Sequence, residues 1–302
     1  MLIPDLNKTT ECLKLSASTA STVTNYAQAT LTAIPKLQNP PSWFAPIQNN
    51  LTTAQGHAHN WLKNICPAVT ANLPRSIINF SQTFQSTSEE ILGIQQAIES
   101  AGGQPSPQQR AAVGALFDDL AVALGDQEKA VASIQTDIKG HSSDVKTDQD
   151  RLASDLGAVS ERFVNGSVWI QEMTAAIGDD FLDCSVLGPC IAIAEINLNI
   201  SLKVGGIGSD PSLFTLVFAK AILKNQIDNS QAAQRAIQGV LDNWTTLKVK
   251  NEAVISDLKD AQDSQYINIL SQIDLKTAQA QWRQLADFAS GLTNQVLQAR
   301  GL

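Results

Sequence analysis

Apolar residues over most of the chain fall on helical seams. From Val113 they recur at steps of three and four. The positions are Val113, Phe117, Leu120, Leu124, Val131, Ile134, Ile138, Val145, Leu152, Val159, Phe163, Ile170, Met173 and Ile177. Such steps keep side chains on one face of a 3.6-residue helix, giving a heptad-like stripe. The seam skips at Gln127, His141, Asp148, Asp155 and Gly166. Gly140-His-Ser-Ser143 is its weakest point, where a bend is expected. At ~1.5 Å per residue the stripe spans roughly 97 Å, far beyond an ordinary globular helix.

A second stripe starts after Ser209-Asp-Pro211. It runs through Leu213, Leu216, Ile222, Leu223, Ile227, Ile237, Leu241, Trp244, Leu247, Val254, Ile255, Leu258 and Ala261. It continues through Ile269, Ile273, Trp282, Leu285, Phe288, Leu292 and Val296. About 90 residues is too long for one uninterrupted helix, so a break is expected near Ser271–Lys276. Proline placement allows both stripes, because none occurs between Pro107 and Pro189 or after Pro211. Ser106 is a capping residue, Pro107 a first helical residue, and Gln109 completes a capping box.

The N-terminal third is helical but punctuated. One helix is expected over residues 5–34, ending at Ile34-Pro35. A second region opens at Pro40-Pro41-Ser42 and runs to about Ser100, with kinks at Pro67 and Pro74 and a stop at Gly102-Gly103.

The exception to helical periodicity lies between the two stripes. Ile196-Asn-Leu-Asn-Ile-Ser-Leu-Lys-Val204 alternates apolar and polar residues, which is the period of a strand with one apolar face. Cys190-Ile-Ala-Ile-Ala194 upstream reads as an extended apolar strand, and Gly205-Gly-Ile-Gly208 downstream as a turn. A short β element therefore joins two long antiparallel helices at one tip. It can be read as a hairpin plugging the end of a bundle, or as a tip that changes partner.

Composition removes several function classes. The 302 residues are 43% hydrophobic and 17% charged, enough for a core and too little charged for a disordered chain. The net charge of −8 repels nucleic acid, so no nucleic-acid partner is expected. Aromatics at 5% are sparse for an all-β domain. The N-terminus carries no basic region followed by an apolar run, so it is not read as a signal peptide. No window is long and apolar enough for a constitutive membrane span. The spacing of Cys12, Cys66, Cys184 and Cys190 is not a zinc pattern. Cys184 and Cys190 flank a Gly-Pro turn and could close a disulfide; four free thiols is the other reading.

Candidate chemistry is thin. His57 and His59 lie two apart, on different faces of a helix, and are read as solvated. Asp179, Asp180 and Asp183 lack calcium-loop spacing and are read as a solvated charge run. Gly205–Gly208 lacks a phosphate-loop ending. No catalytic, metal or cofactor site is expected.

The stripe Val113–Ile177, the segment Phe181–Val204 with its Gly205–Gly208 turn, and the stripe Leu213–Val296 together resemble the cytolysin A superfamily of α-helical pore-forming toxins. That superfamily includes the haemolysin BL and non-haemolytic enterotoxin components. The resemblance implies an all-α, elongated bundle of long antiparallel helices, a five-helix tail, with a small β-tongue head. Residues 1–178 and 212–302 would form the tail and 179–211 the head. It implies a secreted, non-enzymatic toxin component, soluble before assembly and then on the target-cell membrane. Its partners would be that membrane and paralogous components, in a homo- or hetero-oligomeric pore. The head residues expected to engage membrane or partner are Cys184, Val186, Leu187, Cys190, Ile191, Ile193, Ile196, Leu198, Ile200, Leu202, Val204 and Ile207. Glu195, Lys203 and the polar face Asn197, Asn199 and Ser201 suggest an amphipathic component rather than a stand-alone anchor. The alternative is a structural coiled-coil spacer, which has no need of an apolar, turn-rich segment at 184–208.

Overall fold

The structure is a computed structural model that describes residues 2–33, 45–165 and 211–299. All of its regular elements there are helical. They are α1 (Leu6–Ala33), α2 (Ala45–Asn60), α3 (Leu73–Ser100), α4 (Pro107–Asn165), α5 (Pro211–Asp260), α6 (Asp263–Ile273) and α7 (Leu275–Ala299). The expected β-tongue, including the strand 196–204, lies outside the described residues.

Local chemistry sets the helix ends. At the start of α4, the Gln109 backbone N–H donates to Ser106 Oγ at 3.2 Å, and the Ser106 N–H donates to Gln109 Oε1 at 2.8 Å. This is the reciprocal capping box read from the sequence. At the end of α3, Gly102 and Gly103 take φ values of 98° and 81°, a left-handed turn that suits glycine. The Gly103 N–H then reaches the Ile98 carbonyl at 2.9 Å and the Gly102 N–H the Glu99 carbonyl at 3.2 Å, closing a Schellman motif.

Around the prolines of the second region the helix widens into π segments at Trp61–Ile65 and Ala68–Asn72, on either side of Pro67. A proline lacks the N–H for the normal ladder and clashes with the carbonyl four residues back. The wider turn relieves both, and Pro74 follows directly on the second π segment, at the start of α3.

The break in the second stripe is also double. Asp274, at φ 51°, separates α6 from α7 inside the expected window. A further break at Ala261-Gln262, with Gln262 extended at ψ 157°, separates α5 from α6 and was not legible from Gly or Pro. Gly140, where a bend was expected, stays within the continuous helix α4.

The chain divides into two compact units. The first comprises Met1–Ser18, Pro67–Thr136 and Ala233–Leu302. Its centre is aromatic. Phe80 lies 4.7 Å from the Trp282 ring and 5.0 Å edge-on from Trp244, and the two indoles stack at 5.4 Å. Buried and half-buried polar groups here carry α3 against α7. Ser81 Oγ donates to the Trp282 carbonyl, Gln85 to the Gln279 carbonyl, and Gln279 to Ser88 Oγ.

The second unit comprises Thr19–Cys66 and Asp137–Ala232. Its apolar core includes Val23, Ile47, Leu51, Trp61, Ile138, Val145, Leu152 and Leu223.

Candidate functional site

The twelve head residues named from the sequence, from Cys184 to Ile207, lie outside the described residues, as does the Cys184–Cys190 pair. The helices that lead into and out of them are described. α4 ends at Asn165, α5 begins at Pro211, and both ends belong to the second unit.

In that unit the stripe of α4 does not lapse at its polar positions. His141, Asp148 and Asp155 are spaced by seven, so they share one helical face with Val145 and Leu152. All three turn toward the bundle. Asp155 Oδ2 accepts a hydrogen bond from Asn50 Nδ2 at 2.8 Å. Asp148 Oδ2 is hydrogen-bonded to His57 Nδ1 at 2.6 Å. The His141 ring packs on the Trp61 indole with centroids 4.9 Å apart. Successive turns of α2 and its π extension thus meet successive turns of α4 through polar or aromatic pairs.

His57 was expected to be solvated. Its ring is instead half-buried against Asp148, while His59 faces solvent. The two histidines do point apart, as their spacing requires. The signal that could have located His57, His141 and Asp148 was register: a polar residue at a seam position faces inward whatever its polarity.

Burial makes this cluster electrostatically unusual. Asp148 has a fully buried side chain. Burial raises its carboxyl above the ordinary range, opposed by the hydrogen bond and charge of His57 and by Arg151. Burial, with a smaller contribution from His57, pushes the His141 ring down to about 4. Neither His141 nitrogen has a hydrogen-bond partner.

A second polar line crosses the same unit. Gln226 of α5 donates to Thr30 of α1 at 2.8 Å, with both side chains buried. Trp61 Nε1 donates to Thr24 Oγ1 at 3.1 Å, and Thr24 lies 3.2 Å from Cys66 Sγ. Among the described residues no group of three or more His, Cys, Asp or Glu is placed to hold a metal ion. No described helix is long and apolar enough to cross a membrane.

The described residues thus form a helical bundle with polar seams, in which the long helices α4 and α5 stand on either side of residues 166–210 in the chain. The family model of the Bacillus haemolytic enterotoxin (HBL) matches residues 6–179, more than half of the chain, and the chain belongs to that family. Solved structures share the fold. The HblL1 toxin component of Bacillus cereus superposes with a TM-score of 0.67 at 13% identity, covering 93% of this chain and 95% of that one. Soluble SmhB of the tripartite α-pore-forming toxin Smh from Serratia marcescens gives 0.69 at 13% identity, covering 96% and 91%. The SmhB pore gives 0.61 at 16%, covering 97% and 100%. At these identities the likeness is one of fold. Among curated proteins none matches the chain by sequence.

Proposed function

We propose that this chain is a component of a multipart pore-forming toxin, acting by assembly rather than catalysis. Its membership of the haemolytic enterotoxin family carries the reading. The fold shared with SmhB, a protein known both as a soluble form and as the pore of a tripartite toxin, supports it. In this reading residues 1–178 and 212–302 are the tail and 179–211 the head. The secreted, soluble chain meets a target-cell membrane and paralogous components, and its head leaves the bundle to engage them in an oligomeric pore.

The alternation at 196–204 gives the head two uses. Ile196, Leu198, Ile200, Leu202 and Val204 present one face to lipid or to a partner's apolar head. Asn197, Asn199, Ser201 and Lys203 present the other to water in a lumen. Each apolar side chain buried is worth about 1.5–3 kcal/mol, so the face is stable only when covered.

The test is dye release from liposomes, with the chain alone and with its paralogous components. The double change Leu198→Asp with Leu202→Asp should abolish leakage by the full set while circular dichroism keeps its helix signal. Leakage that survives the change would remove the head from the pore and favour the coiled-coil spacer.

A further inference from the structure

The second unit buries an imidazole that nothing among the described residues is arranged to hold as a cation. His141 is 2% exposed, and both ring nitrogens lack partners. One face of the ring rests on Trp61, itself 0% exposed. The neighbouring carboxylate, Asp148, is already engaged by His57, two helical turns away along α4. We propose that His141 is an acid-responsive latch: its neutral ring closes the packing of α4 on α2, and its protonation opens that packing.

The described groups around it leave the new charge uncompensated. On α4, Asp144 and Arg151 are exposed, as are Asp137, Lys139 and Lys146. From α2 the facing titratable group is His57, whose charge would repel a second one. Lys63, beside Trp61, is exposed. From Thr19 to Ala33, α1 carries no charged side chain, and its one titratable group is the Tyr26 phenol. The Cys66 thiol lies at Thr24, beyond Trp61. On α5, Lys224 and Asp228 are exposed.

The sign follows from linkage. The ring titrates near 4 in the closed bundle and at its ordinary 6.5 once open. The open state therefore binds the proton first as pH falls, and closure weakens from about pH 6.5 downward. From pH 7 to pH 5 these two values favour opening by about 20-fold. Asp148, raised by burial, acts in the opposite sense, because its protonation occurs more readily in the closed state. That contribution is common to the wild type and to a His141 variant, so it cancels when they are compared.

The experiment is hydrogen exchange by mass spectrometry on the full chain and on His141→Phe, at pH 7 and pH 5, with intrinsic rates corrected. Peptides from 45–66 and 137–165 should open about 20-fold more readily at pH 5 in the wild type, an increase that His141→Phe abolishes. Peptides of the first unit serve as the internal reference, and His57→Gln should retain the response. Equal acid response in wild type and His141→Phe would overturn the latch. Selective ¹⁵N-histidine labelling gives a reading that needs no variant. A His141 ring still neutral at pH 6 supports the proposal, and one titrating at 6.5 in the closed protein overturns it.

Discussion

Gly239 of α5 faces Cys12 of α1 so closely that a Cβ added at Gly239 would stand 2.5 Å from the Cys12 sulfur. The next atom, the Cys12 Cβ, would be at an ordinary 3.7 Å. The glycine is there for close approach of two helices, since it lies in the interior of α5, where alanine is intrinsically the better helix former by about 1 kcal/mol.

Gly239→Ala should accordingly lower stability by about 1 kcal/mol, the overpacking cost exceeding the gain in helix propensity. In a Cys12→Ala background the same change meets only the remote Cβ and should become stabilising by up to about 1 kcal/mol. Urea denaturation of the four proteins in this cycle measures the reversal. Additive effects would show that the sulfur is not what excludes the methyl group.

How much was legible in the sequence divides along physical lines. The α4 stripe from Val113 to Leu152 is buried at every described apolar position, because helical period alone decides which face meets the core. The capping box at Ser106 and the glycine stop at Gly102-Gly103 were legible because each is complete within a few residues. His141 and Asp148 looked like gaps because polarity was read before register. Their burial, at 2% and 1%, follows from the seam they sit on. The π segments around Pro67 were invisible because a widened turn keeps helical backbone angles, with Pro67 itself at φ −62° and ψ −35°.

The break at Ala261-Gln262 had no local signal because a distant side chain holds it. Arg110 of α4 donates to the Ala261 carbonyl at 3.0 Å and to Asp263 Oδ1 at 2.6 Å, and its guanidinium lies 4.4 Å over the Tyr266 ring. One planar group thus spans the first carbonyl of the break, the first turn of α6 and its buried aromatic.

Arg110→Ala should cost about 1–2 kcal/mol, mostly through the lost carbonyl bond and ring contact. The exposed Asp263 pair contributes little by itself. Arg110→Lys should recover less than half, because an ammonium cannot fork to both acceptors and stack at once. Hydrogen exchange should quicken in peptides covering 258–273. Unchanged exchange there would mean that the break is held by something else.

Phe80 is the keystone of the first unit's aromatic centre, 3% exposed and in contact with both Trp244 and Trp282. Phe80→Ala should cost about 3–5 kcal/mol, and Phe80→Leu less, since it leaves the smaller cavity. The near-ultraviolet circular dichroism of the coupled indoles should fall in both variants while far-ultraviolet helix content persists. A loss below 1 kcal/mol in Phe80→Ala would contradict this packing.

The cysteines separate by environment, which makes the head disulfide testable in the intact chain. Cys12 and Cys66 are thiols, not joined in a disulfide. Burial pushes the Cys12 thiol up, with Glu11, Asp242 and Asp5 acting in the same sense and Lys8 against, so little thiolate forms at neutral pH. Cys66 is 0% exposed, so its alkylation must wait for the second unit to open. In native buffer at pH 7.5, Cys12 should therefore react with iodoacetamide more slowly than a free peptide thiol, and Cys66 more slowly still. Unfolding in denaturant without reductant exposes both. If Cys184 and Cys190 are bridged in protein made under oxidising conditions, intact mass then shows two alkyl groups, rising to four only after reduction. Four groups added without reductant would leave the head with no covalent tie and remove the disulfide from its opening.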